Sequence, residues 1–262
     1  MLEKLFWCFL NFFNHKFEIK EKVEVKSSEG VICIIVDYDA FSARDIKSVG
    51  GVRYKCGASS LDLVENKCVD YNIPILKVTT TDNESLIKVG GGNDSLYILN
   101  RGTDIAALED ILHLIYNYKK VIFCNSSAPY SQISKNIDIF LSGIDCNKDE
   151  SILIGLNGNS RPSPAISFLH KKFPHLTSNF LCADVIDIKN VLEIGKNSFL
   201  YQCMGGYGNK YFAIRYFETL LSAYVLKKGG VLCCINGDTI CFPGDRWFKE
   251  DSRIKEYSNH RV

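Results

Sequence analysis

Short apolar runs alternate with amphipathic segments through the first half of the chain. Four runs have the length and composition of buried strands: residues 31–36, 73–78, 96–99 and 121–124. Between them, residues 61–71 and 105–118 carry apolar side chains at helical spacing. Unbroken apolar runs are typical of strands covered on both faces, and strands that alternate with helices form parallel sheets. The pattern predicts an α/β fold with a mainly parallel sheet flanked by helices.

The second half of the chain is less regular but continues this pattern. Further strands are predicted at residues 152–156, 180–186 and 231–235. Residues 211–228 have a helical pattern that ends at Gly229-Gly230, a common C-terminal stop. The Gly-Gly-Tyr-Gly sequence at residues 205–208 indicates a turn or a flexible loop.

The N-terminal segment has a different character. Apolar side chains recur at helical spacing from Leu2 to Phe13, and a segment rich in Lys and Glu follows. The apolar stretch is too short to span a bilayer. It predicts an amphipathic helix that lies in a membrane interface, or packs on its own domain or a second subunit. We therefore divide the chain into residues 1–29 (helix and charged linker), 30–245 (folded domain) and 246–262 (charged tail).

Composition narrows the possible functions. The chain has 31 basic and 30 acidic residues and a formal net charge of +1, which argues against a broad nucleic-acid-binding surface. Its 11 cysteines are scattered, and no Cys-x-x-Cys pair occurs. Several lie inside apolar runs, where a thiol behaves as a small apolar side chain. This pattern indicates reduced thiols and predicts a cytoplasmic protein.

Polar residues follow two of the apolar runs and indicate a ligand site. Residues 100–104 are Asn-Arg-Gly-Thr-Asp, and residues 125–127 are Asn-Ser-Ser. Asp37 follows the first apolar run in the same way. Open parallel sheets bind their ligands beside the carboxyl ends of the strands. Asp104 also fits a helix N-cap, and residues 125–127 also fit a plain turn, so both interpretations stay open.

Four segments, in order, resemble those of GT-A type glycosyltransferases, and in particular the rhamnan-synthesis-type transferases of bacterial surface-polysaccharide loci. Residues 100–105 resemble the family's Asn-x-Gly-x-Asp-x-Gly segment, with Ala106 or Ala107 in place of the second Gly. Residues 122–129 resemble its strand that ends in Asn and Ser with Pro following. Residues 175–180 resemble a His-Leu-Gln-Ser segment, with Thr177 in place of Gln. Residues 217–229 resemble a Glu-containing helix that ends Lys-x-Gly.

The resemblance implies a GT-A-like, Rossmann-like fold and assigns roles to single residues. The residues implied to contact the donor are Asp37, Arg101, Gly102, Asp104, Asn125, Ser126 and Ser127. Glu218 falls where related transferases place the carboxylate of the general base, and Asp184 is a second candidate. His175 and Ser178 are candidates for contact with the acceptor. A helix-surface Glu and a structural His are the alternative interpretations of Glu218 and His175.

One departure from the family concerns the metal. Many GT-A enzymes carry Asp-x-Asp where this chain has Asn125-Ser126-Ser127. Two carboxylates grip Mg²⁺ or Mn²⁺ on a diphosphate, whereas neutral Asn and Ser oxygens hold a divalent ion poorly. The resemblance therefore leaves two arrangements open: a metal bound by other residues, or a diphosphate neutralised by side chains such as Arg101 or Lys210.

These observations lead to two hypotheses about function. The first is a glycosyltransferase that moves a sugar from a nucleotide-sugar donor to a lipid-linked or oligosaccharide acceptor in the synthesis of a surface glycan such as O-antigen, lipopolysaccharide or capsule. Such an enzyme would be cytoplasmic, with peripheral contact to the inner face of the membrane through its N-terminal helix. The alternative is a non-catalytic α/β module that binds a nucleotide or glycan within a polysaccharide biosynthesis complex.

Overall fold

The computed structural model describes residues 29–38, 46–49, 52–89, 95–142, 144, 151–162, 172–234 and 254–256. The predicted N-terminal amphipathic helix lies outside these ranges, as does most of the predicted C-terminal tail.

An eight-stranded sheet organises the described part of the chain. Its strands are β1 (Glu29–Tyr38), β4 (Ile75–Thr81), β5 (Leu96–Leu99), β6 (Tyr118–Asn125), β7 (Ile152–Gly155), β10 (Phe180–Asp184), β11 (Val231–Cys234) and β12 (Ile254–Glu256). Two hairpins complete the set: β2 (Ile46–Val49) with β3 (Val52–Lys55), and β8 (Gly158–Pro162) with β9 (Lys172–Leu176). The strand order of the main sheet is β12-β11-β7-β10-β6-β1-β4-β5.

Strand direction in this sheet matches the prediction with one exception. Neighbouring strands are parallel everywhere except at β10, which runs antiparallel to both β6 and β7. The predicted fold class, a Rossmann-like, mainly parallel sheet flanked by helices, is therefore confirmed for the described residues. β12 lies inside the predicted tail and adds one strand at the edge of the sheet.

Helices cover both faces of the sheet. They are α1 (Ala58–Asp70), α2 (Glu84–Val89), α3 (Asp104–Ile111), α4 (Tyr130–Ser142), α5 (Val185–Lys196), α6 (Phe199–Met204), α7 (Lys210–Ala213) and α8 (Thr219–Lys227). The predicted helix at residues 105–118 is shorter than expected because a 3₁₀ turn at Leu112–Ile115 ends it and β6 already begins at Tyr118.

Alternation along β1 explains why helices are needed on both sides. Ile32, Ile34 and Val36 pack into one apolar cluster with α3, α5 and α8. Cys33 and Ile35 point the other way, into a second cluster with α1 and α4. Successive side chains of a strand face opposite sides of the sheet, so an unbroken apolar run requires cover on both faces.

Among the described residues, no helix has the length and apolar character needed to cross a bilayer.

Candidate functional site

The strand order places a topological switch point between β1 and β6. β4 and β5 extend the sheet on one side of β1, and β6 lies on its other side with Val36 in register with Asn125. The chain therefore leaves β1 and β6 in opposite directions, and sheets of this kind bind ligands beside the carboxyl ends of the strands at such a point. Asp37 and Asn125 lie at this edge, as predicted from the sequence.

A side-chain hydrogen bond joins two of the predicted segments here. Asn125 Nδ2 donates to Asp104 Oδ2 at 2.8 Å, and Asn125 is only 3% exposed. The helix cap is Thr103, whose Oγ1 accepts from Ala106 N, so Asp104 is the first residue of α3 and not its N-cap. The Asp104 carboxylate is held at the end of β6 by Asn125, at the positive end of a helix.

The backbone after β6 forms a tight turn. Asn125 Oδ1 accepts from Ser127 N at 3.0 Å, and Ser126 O accepts from Gly57 N at 2.8 Å. The side chains of Ser126 and Ser127 are half-buried at this turn. The turn interpretation of residues 125–127 is therefore correct for the backbone, while a donor contact by the three side chains stays a prediction.

A second connection runs from Asn125 to Glu218. Asn125 N donates to Asn179 O at 3.1 Å, and the neighbouring Ser178 donates from both N and Oγ to Glu218 Oε1, at 2.9 and 2.7 Å. Glu218 is half-buried, and its Oε2 makes no hydrogen bond within the described part of the chain. One oxygen of this carboxylate is anchored and the other is available to a ligand.

The turn before β10 contributes residues that sequence reasoning missed. Thr177 Oγ1 donates to Asn179 Oδ1 at 2.8 Å, and Thr177 N donates to Asn157 O at 2.9 Å. Because β10 is antiparallel, its amino end lies at the same edge as the carboxyl end of β6. Strand direction alone brings residues 177–179 to the site, and no feature of the sequence pattern revealed that direction.

The structure does not bring Asp184 to this edge. Asp184 is the last residue of β10 and pairs in register with Lys120, whose Nζ lies 2.6 Å from its carboxylate. Lys120 precedes Asn125 by five positions on β6, about 16 Å at the usual rise per residue. The second candidate base therefore lies at the opposite end of the sheet, in an ion pair.

Arg101 precedes α3 and forms ion pairs with two carboxylates of that helix. Its guanidinium lies 2.9 Å from Glu109 and 2.6 Å from Asp110, and Glu109 also accepts from Tyr201 Oη at 2.7 Å. Partial burial opposes the charged form of Arg101, but the hydrogen bond to Tyr201 and the two acidic neighbours raise the pKa above its ordinary value. This positive charge is already compensated, and a donor contact by Arg101 stays a prediction.

Gly102 and the Gly-Gly-Tyr-Gly segment form one packed unit. Gly102 has φ +98°, and Thr103 Oγ1 donates to Tyr207 O. Tyr207 is fully buried, and its hydroxyl donates to the carbonyls of Val191 and Leu192. Residues 206–208 form a 3₁₀ turn with the buried tyrosine at its centre, which agrees with the turn interpretation of residues 205–208.

The two predicted acceptor contacts differ in accessibility. His175 is 0% exposed on β9, inside the domain. Ser178 is 9% exposed, and its hydroxyl donates to Glu218. Acceptor binding by either residue stays a prediction.

The end of β6 differs from the Asp-x-Asp metal site of many GT-A enzymes, because residues 125–127 are Asn-Ser-Ser. Within the described residues, no group of three or more His, Cys, Asp or Glu side chains is arranged to hold a metal ion. At the end of β6 the side chains are a neutral amide and two hydroxyls, which are weak ligands for Mg²⁺ or Mn²⁺. Residues 125–127 therefore supply no carboxylate to a metal, and metal binding at this edge stays a prediction.

Comparisons with known proteins add little to this picture. No family model matches the chain, and no curated protein matches its sequence. Among solved structures, the bifunctional IspDF from Campylobacter jejuni matches 82% of this chain at 13% identity, with a TM-score of 0.36. The chain covers 53% of that structure's chain, about half its length. The fold class follows from the order and directions of the strands in the main sheet.

Proposed function

We propose that the carboxyl edge of the sheet binds a nucleotide sugar and that the protein transfers its sugar to an acceptor hydroxyl. One observation supports the proposal most strongly. Asp104, Asn125 and Glu218 come from three segments far apart in the sequence, and hydrogen bonds through residues 178–179 connect them along one edge of the sheet. That edge includes the switch point at which parallel sheets bind ligands.

The donor would lie across β1 and β6. Asp37 and Asp104 supply carboxylates that accept hydrogen bonds from the ribose or base, and Ser126 and Ser127 supply hydroxyls beside the diphosphate. Because the Asn125 amide fixes Asp104, this acceptor is preorganised before the donor arrives. No step of the reaction is assigned to a divalent ion.

Glu218 would act as the general base. The free Oε2 takes the proton from the acceptor hydroxyl while the acceptor oxygen bonds to the anomeric carbon. The bond between that carbon and the diphosphate breaks, and the nucleoside diphosphate leaves with the electron pair. Ser178 holds Oε1, so the carboxylate meets the acceptor with a fixed orientation.

The acceptor we propose is a lipid-linked or oligosaccharide chain in surface-polysaccharide synthesis. This part of the proposal comes from the sequence resemblance and from the amphipathic pattern of residues 1–29, which predicts peripheral contact with the cytoplasmic face of a membrane.

Ligand-induced stabilisation tests the donor site directly. Purified protein is heated with UDP, dTDP, GDP and CMP and with their sugar conjugates, with and without Mn²⁺. A ligand at 100 times its Kd stabilises the folded state by about 2.7 kcal/mol. We expect one nucleotide series to stabilise the protein. Asp104→Asn, which keeps an acceptor for Asn125, should weaken this binding, whereas Asp138→Asn on the exposed face of α4 should not.

The non-catalytic alternative predicts a different pair of results. The neutral residues at the end of β6 favour it, because they lack the carboxylates of metal-dependent transferases. In that case a nucleotide binds but the protein releases no nucleoside diphosphate from any nucleotide sugar. The absence of both binding and release would overturn the nucleotide site itself.

A further inference from the structure

The helix that carries Glu218 is interrupted at this residue. α7 and α8 are joined by a π-helical turn at Ile214–Glu218 instead of continuing as one regular helix. A π turn adds one residue to the helical turn, so it changes the direction of the side chains that follow, and such turns occur frequently at functional sites. Glu218 is the last residue of this turn.

Thr219 stabilises the π turn from inside the core. Its N–H and its Oγ1 both donate to Ile214 O, the hydroxyl at 3.1 Å. Thr219 is 0% exposed, so no water replaces this hydroxyl if it is removed. The Thr219 side chain thus adds a second hydrogen bond to the carbonyl of Ile214, the first residue of the π turn.

Two contacts fix Glu218 itself. Ser222 Oγ donates to Glu218 O at 3.1 Å and accepts from Leu176 N at 3.1 Å, which ties the backbone of Glu218 to the end of β9. Ser178 donates twice to Oε1, which fixes the carboxylate. Backbone and side chain of Glu218 are therefore held from different elements, and only Oε2 is left without a hydrogen bond in the described residues.

We propose that Thr219 and Ser178 are positioning residues that set the reach of Glu218 Oε2 toward the acceptor. Thr219 sets the backbone through the π turn, and Ser178 sets the orientation of the carboxylate. The inference rests on the proposed function, in which Glu218 is the base. A base displaced by about 1 Å costs roughly 10²-fold in rate, so contacts of this kind control turnover through the position of the base.

The experiment uses the full chain and water as the acceptor. The probe is the sugar conjugate of UDP, dTDP, GDP or CMP that stabilises the wild type most, and nucleoside diphosphate (or CMP) release is measured. Thr219→Val and Ser178→Ala should lower kcat roughly 10- to 100-fold while the KM for the donor stays within about twofold. Thr219→Ser keeps the hydroxyl and should retain wild-type kcat.

A double-mutant cycle separates positioning from structural damage. In a Glu218→Gln background, Thr219→Val and Ser178→Ala should cause no further loss of residual turnover, because both act through the carboxylate. Equal losses in both backgrounds, or unchanged kcat in the wild-type background, would overturn the inference while leaving the proposed function intact. If the wild type releases no nucleoside diphosphate or CMP from any of the four series, the proposed function fails and the positioning roles fail with it.

Discussion

Gly102 and Gly208 lie in direct backbone contact although they are far apart in the sequence. A Cβ atom added to Gly102 would lie 2.7 Å from the carbonyl oxygen of Gly208, closer than real contacts allow. Thr103 reinforces the contact by donating to Tyr207 O. The segment that leads into α3 thus packs against the turn of residues 206–208, and this packing fixes the position of Asp104.

Gly102→Ala should destabilise the protein strongly. Its φ of +98° is unfavourable for a side chain, and the added methyl group would collide with Gly208 O. Gly205→Ala is the matched control, because Gly205 has φ +81° but no atom within 4 Å of an added Cβ. Backbone strain alone costs about 1 kcal/mol, and the collision should raise the loss in Gly102→Ala to about 3 kcal/mol. Urea unfolding curves measure the free energy of unfolding of both variants. Equal losses of stability would show that Gly102 and Gly208 are not in tight contact.

Asn125→Asp tests the amide–carboxylate bond at the site. The substitution sets a second carboxylate against Asp104, where a 2.8 Å hydrogen bond now lies. The free energy of unfolding at neutral pH should fall by about 2 kcal/mol. In the folded variant the two adjacent carboxylates repel each other, so they bind one shared proton more tightly than in the unfolded chain and their shared pKa rises. Part of the lost stability should therefore return as the pH falls toward 5.

The same variant reports on metal binding. Two carboxylates grip Mn²⁺, so Mn²⁺ should raise the Tm of Asn125→Asp more than that of the wild type. Asn209→Asp is the control: it adds the same charge at a helix cap, a position that Asp fills as well as Asn does. If Mn²⁺ affects all three proteins alike, Asp104 does not lie near enough to the end of β6 to share a metal.

Sequence patterns predicted seven strands of the main sheet, because burial on two faces leaves an unbroken apolar run, whereas the hairpin strands and β12 were not predicted. Each of the strands β1, β4, β5 and β6 has at least one end within two residues of the end predicted from the sequence. Strand direction leaves no such trace, since an antiparallel strand buried on both faces is equally apolar. The strand predicted at residues 180–186 is present as β10, but it runs antiparallel to β6. This direction places Asp184 at the far edge of the sheet and residues 177–179 at the site.

Contacts between distant segments were equally invisible to the pattern. Ser178 and Glu218 are 40 residues apart, and only the resemblance to a family suggested that both belong to one site. The carboxylate partners of Arg101 lie eight and nine residues away, a spacing that spans the turn before α3 and two turns of the helix. Side-chain partners across a turn depend on how the loop folds, so the sequence suggested Arg101 as a cation for a diphosphate and did not reveal its carboxylate partners.

Tyr207 should make the protein sensitive to alkali. Burial raises the pKa of its phenol well above the ordinary value near 10. Above pH 10 the unfolded chain releases this proton while the folded chain keeps it, so the free energy of unfolding falls by about 1.4 kcal/mol per pH unit. Tyr207→Phe should lose about 1 kcal/mol at neutral pH and show a shallower decline above pH 10.

The control for this prediction is Tyr211→Phe, which alters a tyrosine that is 59% exposed. It should leave the slope of stability against pH unchanged. The measurement is urea unfolding at intervals between pH 8 and pH 11.5. Parallel slopes for the wild type and Tyr207→Phe would mean that Tyr207 ionises as readily in the folded protein as in the unfolded chain.

Glu218→Gln should separate binding from turnover. Gln keeps an oxygen that accepts from Ser178 N and Oγ, so the local structure and the nucleotide affinity should stay unchanged. An amide cannot take the acceptor's proton, so kcat should fall by about 10²- to 10⁴-fold. Glu193→Gln on the exposed side of α5 removes the same charge without contact to the site and should keep full turnover. The measurement pairs the Kd for the nucleotide with the rate of sugar transfer, and full turnover by Glu218→Gln would assign its carboxylate to holding Ser178 and not to the reaction.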